Sequence, residues 1–101
     1  MQATIQSINL ISTDPNVRNG RACIAGTSVE VSVIVIAKII QGLEPDEIAA
    51  DYNLSLPQVY AALAYYYDNK QTIDASINER QQLAQKMKVA QVGSRHTPLF
   101  G

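Results

Sequence analysis

Between Leu43 and Asn69, in LEPDEIAADYNLSLPQVYAALAYYYDN, the chain writes two helix starts eleven residues apart. Glu44 takes the first N-cap place, Pro45 the first helical position, and Asp46 and Glu47 the first turn. Proline is tolerated there because its missing N–H would have no intrahelical partner, and carboxylates suit the positive end of the helix dipole. At the second start Ser55 and Gln58 form an S-x-x-Q capping box, in which each side chain satisfies a backbone N–H. An apolar residue precedes each cap and another stands at the fourth helical position, Leu43 with Ile48 and Leu54 with Val59, which is the hydrophobic staple. The pattern predicts a helix from about Pro45 to Tyr52, a turn at Asn53-Leu54-Ser55 and a helix from about Leu56 to Asn69. Two short helices joined by a three-residue turn are the helix-turn-helix pattern. Whatever else the chain builds must pack around this pair.

With 101 residues there is room for one small domain and a short extension. A chain of this size buries a modest share of its surface, so self-association is expected to help it. The formal net charge of −1 gives no global pull toward nucleic acid or an anionic membrane. A single cysteine, Cys23, excludes an internal disulfide and fits a reducing cytoplasm, where it is expected as a small buried apolar group. The N-terminus lacks the basic run and apolar core of a signal peptide, and the longest apolar run, Val33 to Ala37, is far too short to span a bilayer. No membrane is therefore expected as a partner.

Ahead of the helix pair, Ile8-Asn9-Leu10-Ile11 alternates as a short strand does, and Asp14-Pro15-Asn16 breaks it. Arg21–Ala25 and Ser28–Val31 read as two strands of a hairpin around Gly26-Thr27, with glycine where a positive φ is needed. From Ser32 to Gln41 the β-branched composition favours strand. The punctuation favours helix: Ser32 as N-cap, Lys38 in the last turn, Gly42 as the stop. A helix is expected, buried on more than one side because it is apolar nearly all round. In the second helix of the pair, Val59, Ala62, Leu63 and Tyr66 share one face and Ala61, Ala64, Tyr65 and Asp68 the other. After Lys70-Gln71-Thr72 a further helix is expected from about Asp74 to Gln91, with a thin stripe of Ile77, Leu83, Ala84, Met87 and Ala90. Gly93 to Pro98 reads as a mobile tail before an apolar Leu99-Phe100 end. The expected organisation is a hairpin plus helix-turn-helix domain over residues 1–70, and a C-terminal helix and tail over 71–101.

Nothing in the chain assembles catalytic chemistry. The one histidine, His96, stands alone in the tail, so neither a His-based triad nor a metal cluster is expected. Glu44, Asp46, Glu47 and Asp51 are most simply helix-start and solvent-face charges. Gly20 and Gly26 form no phosphate-cradling loop. No cofactor and no enzymatic activity are expected.

The run Asp14-Pro15, Gly20, Ile24-Ala25-Gly26-Thr27 and Val29-Glu30-Val31, followed by Gly42, Glu47-Ile48, Tyr52, Leu54, Val59, Ala62-Leu63 and Tyr65-Tyr66, resembles the "domain of unknown function 433" family. The likeness covers about residues 8 to 70, and its I-x-G-T-x-V-x-V segment carries most of the specificity. Glu44 stands where a Ser or Thr cap is common in the family, and Asn53 where proline is frequent. The resemblance implies a mainly α fold with a small N-terminal β element, of winged or homeodomain-like helix-turn-helix type and dimeric. It also implies an antitoxin of VapB type, whose partner is a toxin with a PIN-like nuclease fold.

Charge placement complicates a DNA-binding role. Residues 1–42 carry +1, residues 43–69 carry −5 with no base at all, and residues 70–101 carry +3. Phosphate neutralisation dominates protein–DNA affinity, and the helix-turn-helix segment supplies none of it. Candidate DNA contacts are Arg18 and Arg21 in the hairpin, Gln58 and Tyr60 at the second helix, and Lys70. Gln58 can in principle read adenine, although the capping box already engages it. Tyr60 and Tyr65 can contact backbone or sugar, but packing or dimer contacts are the readier reading. Candidate partner contacts are Arg80, Leu83, Lys86, Met87, Lys88 and Phe100, with the apolar members as anchors and the bases facing an acidic nuclease centre. Two expectations stand: a cytoplasmic homodimeric antitoxin that neutralises a PIN-like nuclease and binds its own promoter DNA, or a dimeric protein-interaction module without DNA binding.

Overall fold

The computed structural model describes residues 2–95, with side chains through residue 88. The fold is mainly helical with a small two-stranded antiparallel sheet near the N-terminus, as expected. The chain divides into two compact units, Met1–Asn69 and the segment from Lys70 onward.

In the first unit, strand β1 (Ile11–Ser12) pairs antiparallel with β2 (Cys23–Ile24), Ile11 opposite Ile24 and Ser12 opposite Cys23. This differs from the sequence expectation in two ways. The strand foreseen at Ile8–Ile11 shrinks and shifts, leaving Ile8 exposed. The hairpin foreseen between Arg21–Ala25 and Ser28–Val31 narrows to one bridge, Cys23 with Glu30, flanked by Ile24 N–H to Val29 O and Val31 N–H to Ala22 O, each at 2.9 Å. Its turn is nevertheless at Gly26, where φ is +79. The Thr27 hydroxyl closes that turn by donating to Ile24 O and accepting from Val29 N–H. The second arm stops being strand because Val31 is already helical.

Helix α1 (Val31–Val35) is capped by Glu30 in extended geometry rather than by Ser32, and runs on as a π-helical turn, Ile36–Ile40. Ser32 lies inside the helix and donates its hydroxyl to the Glu30 carboxylate instead. The apolar run is consumed by the core as far as Ala37, whereas Ile39 and Ile40 remain exposed. Because the last turn is π, Leu43 N–H reaches back six residues to Ala37 O at 3.0 Å, over Gly42 at φ +73. Glycine enters that left-handed region without the Cβ clash that other residues meet.

Helices α2 (Pro45–Tyr52) and α3 (Leu56–Asp68) match the sequence expectation to within a residue. Glu44 N–H donates to the Glu47 carboxylate at 2.9 Å. At the second start both arms of the capping box form: Ser55 N–H to Gln58 Oε1 at 2.8 Å, and Gln58 N–H to Ser55 Oγ at 3.3 Å. Asn53 ends α2 in the left-handed region, φ 55 and ψ 49. Leu54 N–H then bonds Ala49 O and Asn53 N–H bonds Ala50 O, which is the Schellman pattern. The α3 residues buried are Val59, Ala62, Leu63 and Tyr66, the face the spacing picks out. They pack mainly on α1, while α2 lies against α3 and the π turn. Ile24, Val31, Ile34, Ile48 and Val59 are fully buried at the centre, each contributing roughly 2 kcal/mol of burial.

The second unit is helix α4 (Lys70–Arg95). It starts four residues before the expected Asp74, with no loop at Lys70-Gln71-Thr72. Asn69 alone makes the break: its backbone leaves helical geometry, and its side chain donates to Tyr65 O at 3.0 Å. Lys70 and Asp74 then form an i,i+4 ion pair at 2.8 Å across the first turn. Gly93 to Arg95, read from sequence as mobile tail, are helical; His96, Leu99 and Phe100 lie outside the described residues.

Candidate functional site

Asp14 to Gly20 forms the most strained stretch of the described chain. Arg18, Asn19 and Gly20 have φ of 50, 56 and 81, a full left-handed turn that includes two residues with side chains. Each non-glycine residue there costs about 1–2 kcal/mol. Local hydrogen bonds offset it. Asp14 accepts from Val17 N–H through its carbonyl and from Asn16 N–H through its side chain, and Arg18 O accepts from Arg21 N–H. Arg18 Nε donates to Ser28 O at 3.1 Å, tying the turn to the hairpin.

Arg21, the second arginine proposed for phosphate, is committed elsewhere. Its Nε donates to Glu30 Oε1 at 2.8 Å and Nη2 reaches Oε2 at 3.5 Å. The Glu30 side chain is 6% exposed and the Arg21 side chain 38%. Burying a carboxylate is tolerable only with such a partner, so Arg21 neutralises Glu30 before it can neutralise anything else. Beside the pair, Cys23 is buried and its thiol approaches Arg21 O. Burial, reinforced by the Glu30 charge and opposed by Arg18 and Arg21, pushes the Cys23 thiol above its ordinary value of 9.0.

The remaining nominated residues fall into three places. Gln58 is held by the cap of α3 and Lys70 by Asp74. Tyr60 stands on the solvent side of α3. Arg80, Leu83, Lys86, Met87 and Lys88 lie along α4, where Leu83 and Met87 are 57% and 56% exposed and one helical turn apart. Arg18 and Arg21 are thus brought together on one loop. Gln58 and Tyr60 sit near the start of α3, and the partner-binding set keeps to its own helix. Phe100 is outside the described residues.

One surface feature escaped the sequence reading, and a second was read only in part: the Ala61, Ala64, Tyr65 and Asp68 face of α3 was picked out, but not its neighbours Ile8 and Ile11. Leu56, Tyr60, Ala64 and Tyr67 form an exposed apolar stripe along α3, distinct from its buried face. The i, i+4, i+8, i+11 spacing was there to be found, but Tyr60 was weighed only as a DNA, packing or dimer contact and Tyr67 was given no role. On the flank of that stripe an open groove is lined by Ile8, Ile11, Ala61, Ala64, Tyr65 and Tyr67, with one carboxylate, Asp68. It combines the second α3 face with Ile8 and with Ile11 of β1.

Among the described residues no three His, Cys, Asp or Glu side chains gather as metal ligands, and no helix is long and apolar enough to cross a membrane. The exposed surface of the described residues is apolar and acidic on α2 and α3, and apolar and basic on α4.

Comparison with known proteins agrees on ancestry. A family described as "Protein of unknown function (DUF433)" matches residues 11–66. The crystal structure of a DUF433 member protein from Anabaena variabilis is 34% identical, covers 69% of each chain and superposes with a TM-score of 0.62. No curated protein matches the chain. The matched span runs from β1 to the buried end of α3 and takes in every element of the first unit's core: this chain belongs to the DUF433 family.

Proposed function

We propose that this protein is a non-enzymatic, dimeric antitoxin of the cytoplasm that binds and neutralises a PIN-like nuclease, with α4 as the segment that holds it. The supporting observation is the exposed pair Leu83 and Met87, set beside Lys86 and Lys88 on a helix that begins directly after the compact first unit. A helix with an apolar stripe too thin for a core is suited to a partner's groove, and its lysines suit the acidic metal-binding centre of a nuclease. The partner's identity comes from the family resemblance of the Asp14–Tyr66 region, and the compartment from the single buried cysteine.

Binding to promoter DNA is the weaker part of the proposal. The α2–α3 pair, if it is to act as a helix-turn-helix reader, presents carboxylates and an apolar stripe, while Arg21, Gln58 and Lys70 are engaged within the chain. These observations favour an interaction module whose α2–α3 surface meets protein.

The experiment is co-expression with a PIN-like nuclease encoded beside this chain, and absence of such a reading frame counts against the proposal. The full chain should co-purify with it and suppress its activity. A chain ending at Asn78, which keeps the buried Ile73 and Ile77, should stay folded by circular dichroism and fail at both. Undiminished capture by the truncated chain would remove α4 from the interface.

A further inference from the structure

In the sheet of the first unit, β1 has β2 on one side and stands at the edge. Ala25 N–H donates to Leu10 O at 2.8 Å, so Leu10 directs its backbone toward β2. Backbone groups alternate along an antiparallel ladder, and those of Asn9 and Ile11 therefore point to the outer side. Ahead of β1, residues 2–9 lie outside helix and sheet and are all exposed, with Ile5 at 92% and Ile8 at 79%. Natural edges are commonly blunted by charge or proline. Residues 2–13 contain neither a charged side chain nor a proline. The groove that Ile8 and Ile11 share with Ala61, Ala64 and Tyr67 belongs wholly to the first unit.

We infer that this edge is completed by the same segment of a second copy, paired antiparallel about a twofold axis at Ile8. The run Ile5-Gln6-Ser7-Ile8-Asn9-Leu10-Ile11 is self-complementary on that axis: Ile8 meets Ile8, Ile5 meets Ile11 and Ser7 meets Asn9. The register agrees with the direction of the backbone groups. Ile5, Ser7, Asn9 and Ile11 all point outward under the same alternation, and they are the residues that exchange hydrogen bonds, about eight in all. Ile8 with Ile8 is then a close pair without hydrogen bonds, in which side chains approach most nearly. This backbone demand, together with the even spacing of the three isoleucines, selects the second copy. A helix such as α4 spends its own N–H and C=O groups internally and cannot extend a ladder. No like charges meet across the pairing, and the twofold closes it at a dimer. The inference deepens the dimeric part of the proposed function and is independent of the nuclease.

The test uses the full chain at micromolar concentration, and Ile8 is exposed in the single copy, so its replacement leaves the core intact. Ile8→Lys and Ile8→Glu should each weaken self-association in sedimentation at least about tenfold, because like charges then meet on the axis. Their equimolar mixture should associate again. Under mild oxidation Ile8→Cys should give a disulfide-linked dimer and the parent chain, whose Cys23 is buried, should not. Ser7→Cys alone should stay unlinked, and Ser7→Cys mixed with Asn9→Cys should link. A parent chain that sediments as a monomer would remove the dimer from the proposed function and this interface with it. A dimeric parent whose Ile8→Lys and Ile8→Glu variants associate as it does, or an Ile8→Cys chain that yields no linked dimer, would overturn this inference alone.

Discussion

Asn53 shows how a single side chain sets the path of this fold. It holds φ 55 and ψ 49 so that α2 can end on two backbone bonds and α3 can start three residues later. Asparagine tolerates that region better than alanine, and glycine better still. Asn53→Ala should therefore lose about 1 kcal/mol in urea denaturation, and Asn53→Gly should lose none. The Arg21–Glu30 pair is a second residue-scale device. Removing Arg21 leaves a buried carboxylate without its cation, a loss of about 3 kcal/mol in a fully buried setting. The Arg21 side chain is 38% exposed, so about 1–2 kcal/mol is expected for Arg21→Ala after solvent screening. A double-mutant cycle with Glu30→Ala should show strong coupling. Cys23 gives a third test. Its folded thiol titrates above 9.0, so the stabilisation tied to the protonated thiol is complete below that pH and is lost as pH rises from 9.0 toward the folded value. Stability measured across that alkaline window should fall faster for the parent chain than for Cys23→Ala. Thiol labelling at neutral pH should be slow and should accelerate only with unfolding.

At the scale of elements, what was legible in sequence is what local chemistry specifies. The ends of α2 and α3 are written by Pro45, the Ser55–Gln58 box and two staples, all within four residues of the positions they govern. The buried face of α3 follows from helical period alone. The sheet was misjudged because β1 and β2 have two residues each, too few to show a period, and pair across the Asp14–Gly20 loop rather than across the adjacent turn. The start of α4 was misplaced for a different reason: it was set at about Asp74, while Asn69 and the Lys70–Asp74 pair suffice to begin a helix at Lys70. The cap of α3 can be checked directly. Gln58→Ala and Ser55→Ala should each cost about 1 kcal/mol in thermal or urea unfolding, and the double variant should cost less than the sum, because the two bonds depend on one another. If Gln58→Ala left stability intact and changed the sequence preference of a DNA complex, Gln58 would be a reader and not a cap.

For the whole molecule the governing quantity is where charge lies, not how much there is. The sequence shows the division into +1, −5 and +3 along the chain, but not which cations are already spent. The folded structure engages Arg21 with Glu30 and Lys70 with Asp74. The acidic α2–α3 segment keeps all its carboxylates without a base of its own. The half of the candidate site proposed to face a partner was thus readable as a pattern on α4, whereas the α3 stripe emerged only once the core had claimed the opposite face. The α2–α3 segment carries five carboxylates and no base, so a duplex brought against it is repelled, most strongly at low salt. Any DNA affinity must therefore come from bases outside that segment, Arg18 and the C-terminal bases that include Lys86 and Lys88, with few phosphates neutralised per copy. Anisotropy titrations of the full chain with its own promoter at physiological salt should show binding no tighter than the non-specific range, on the order of 10⁻⁴ to 10⁻⁶ M, with a shallow salt slope. Lys86→Gln with Lys88→Gln should flatten that slope by about two further units per copy. The same pair of substitutions should weaken the nuclease complex at equal salt. Nanomolar, sequence-dependent promoter binding that survives the loss of both lysines would move the function of the α2–α3 pair from protein to DNA.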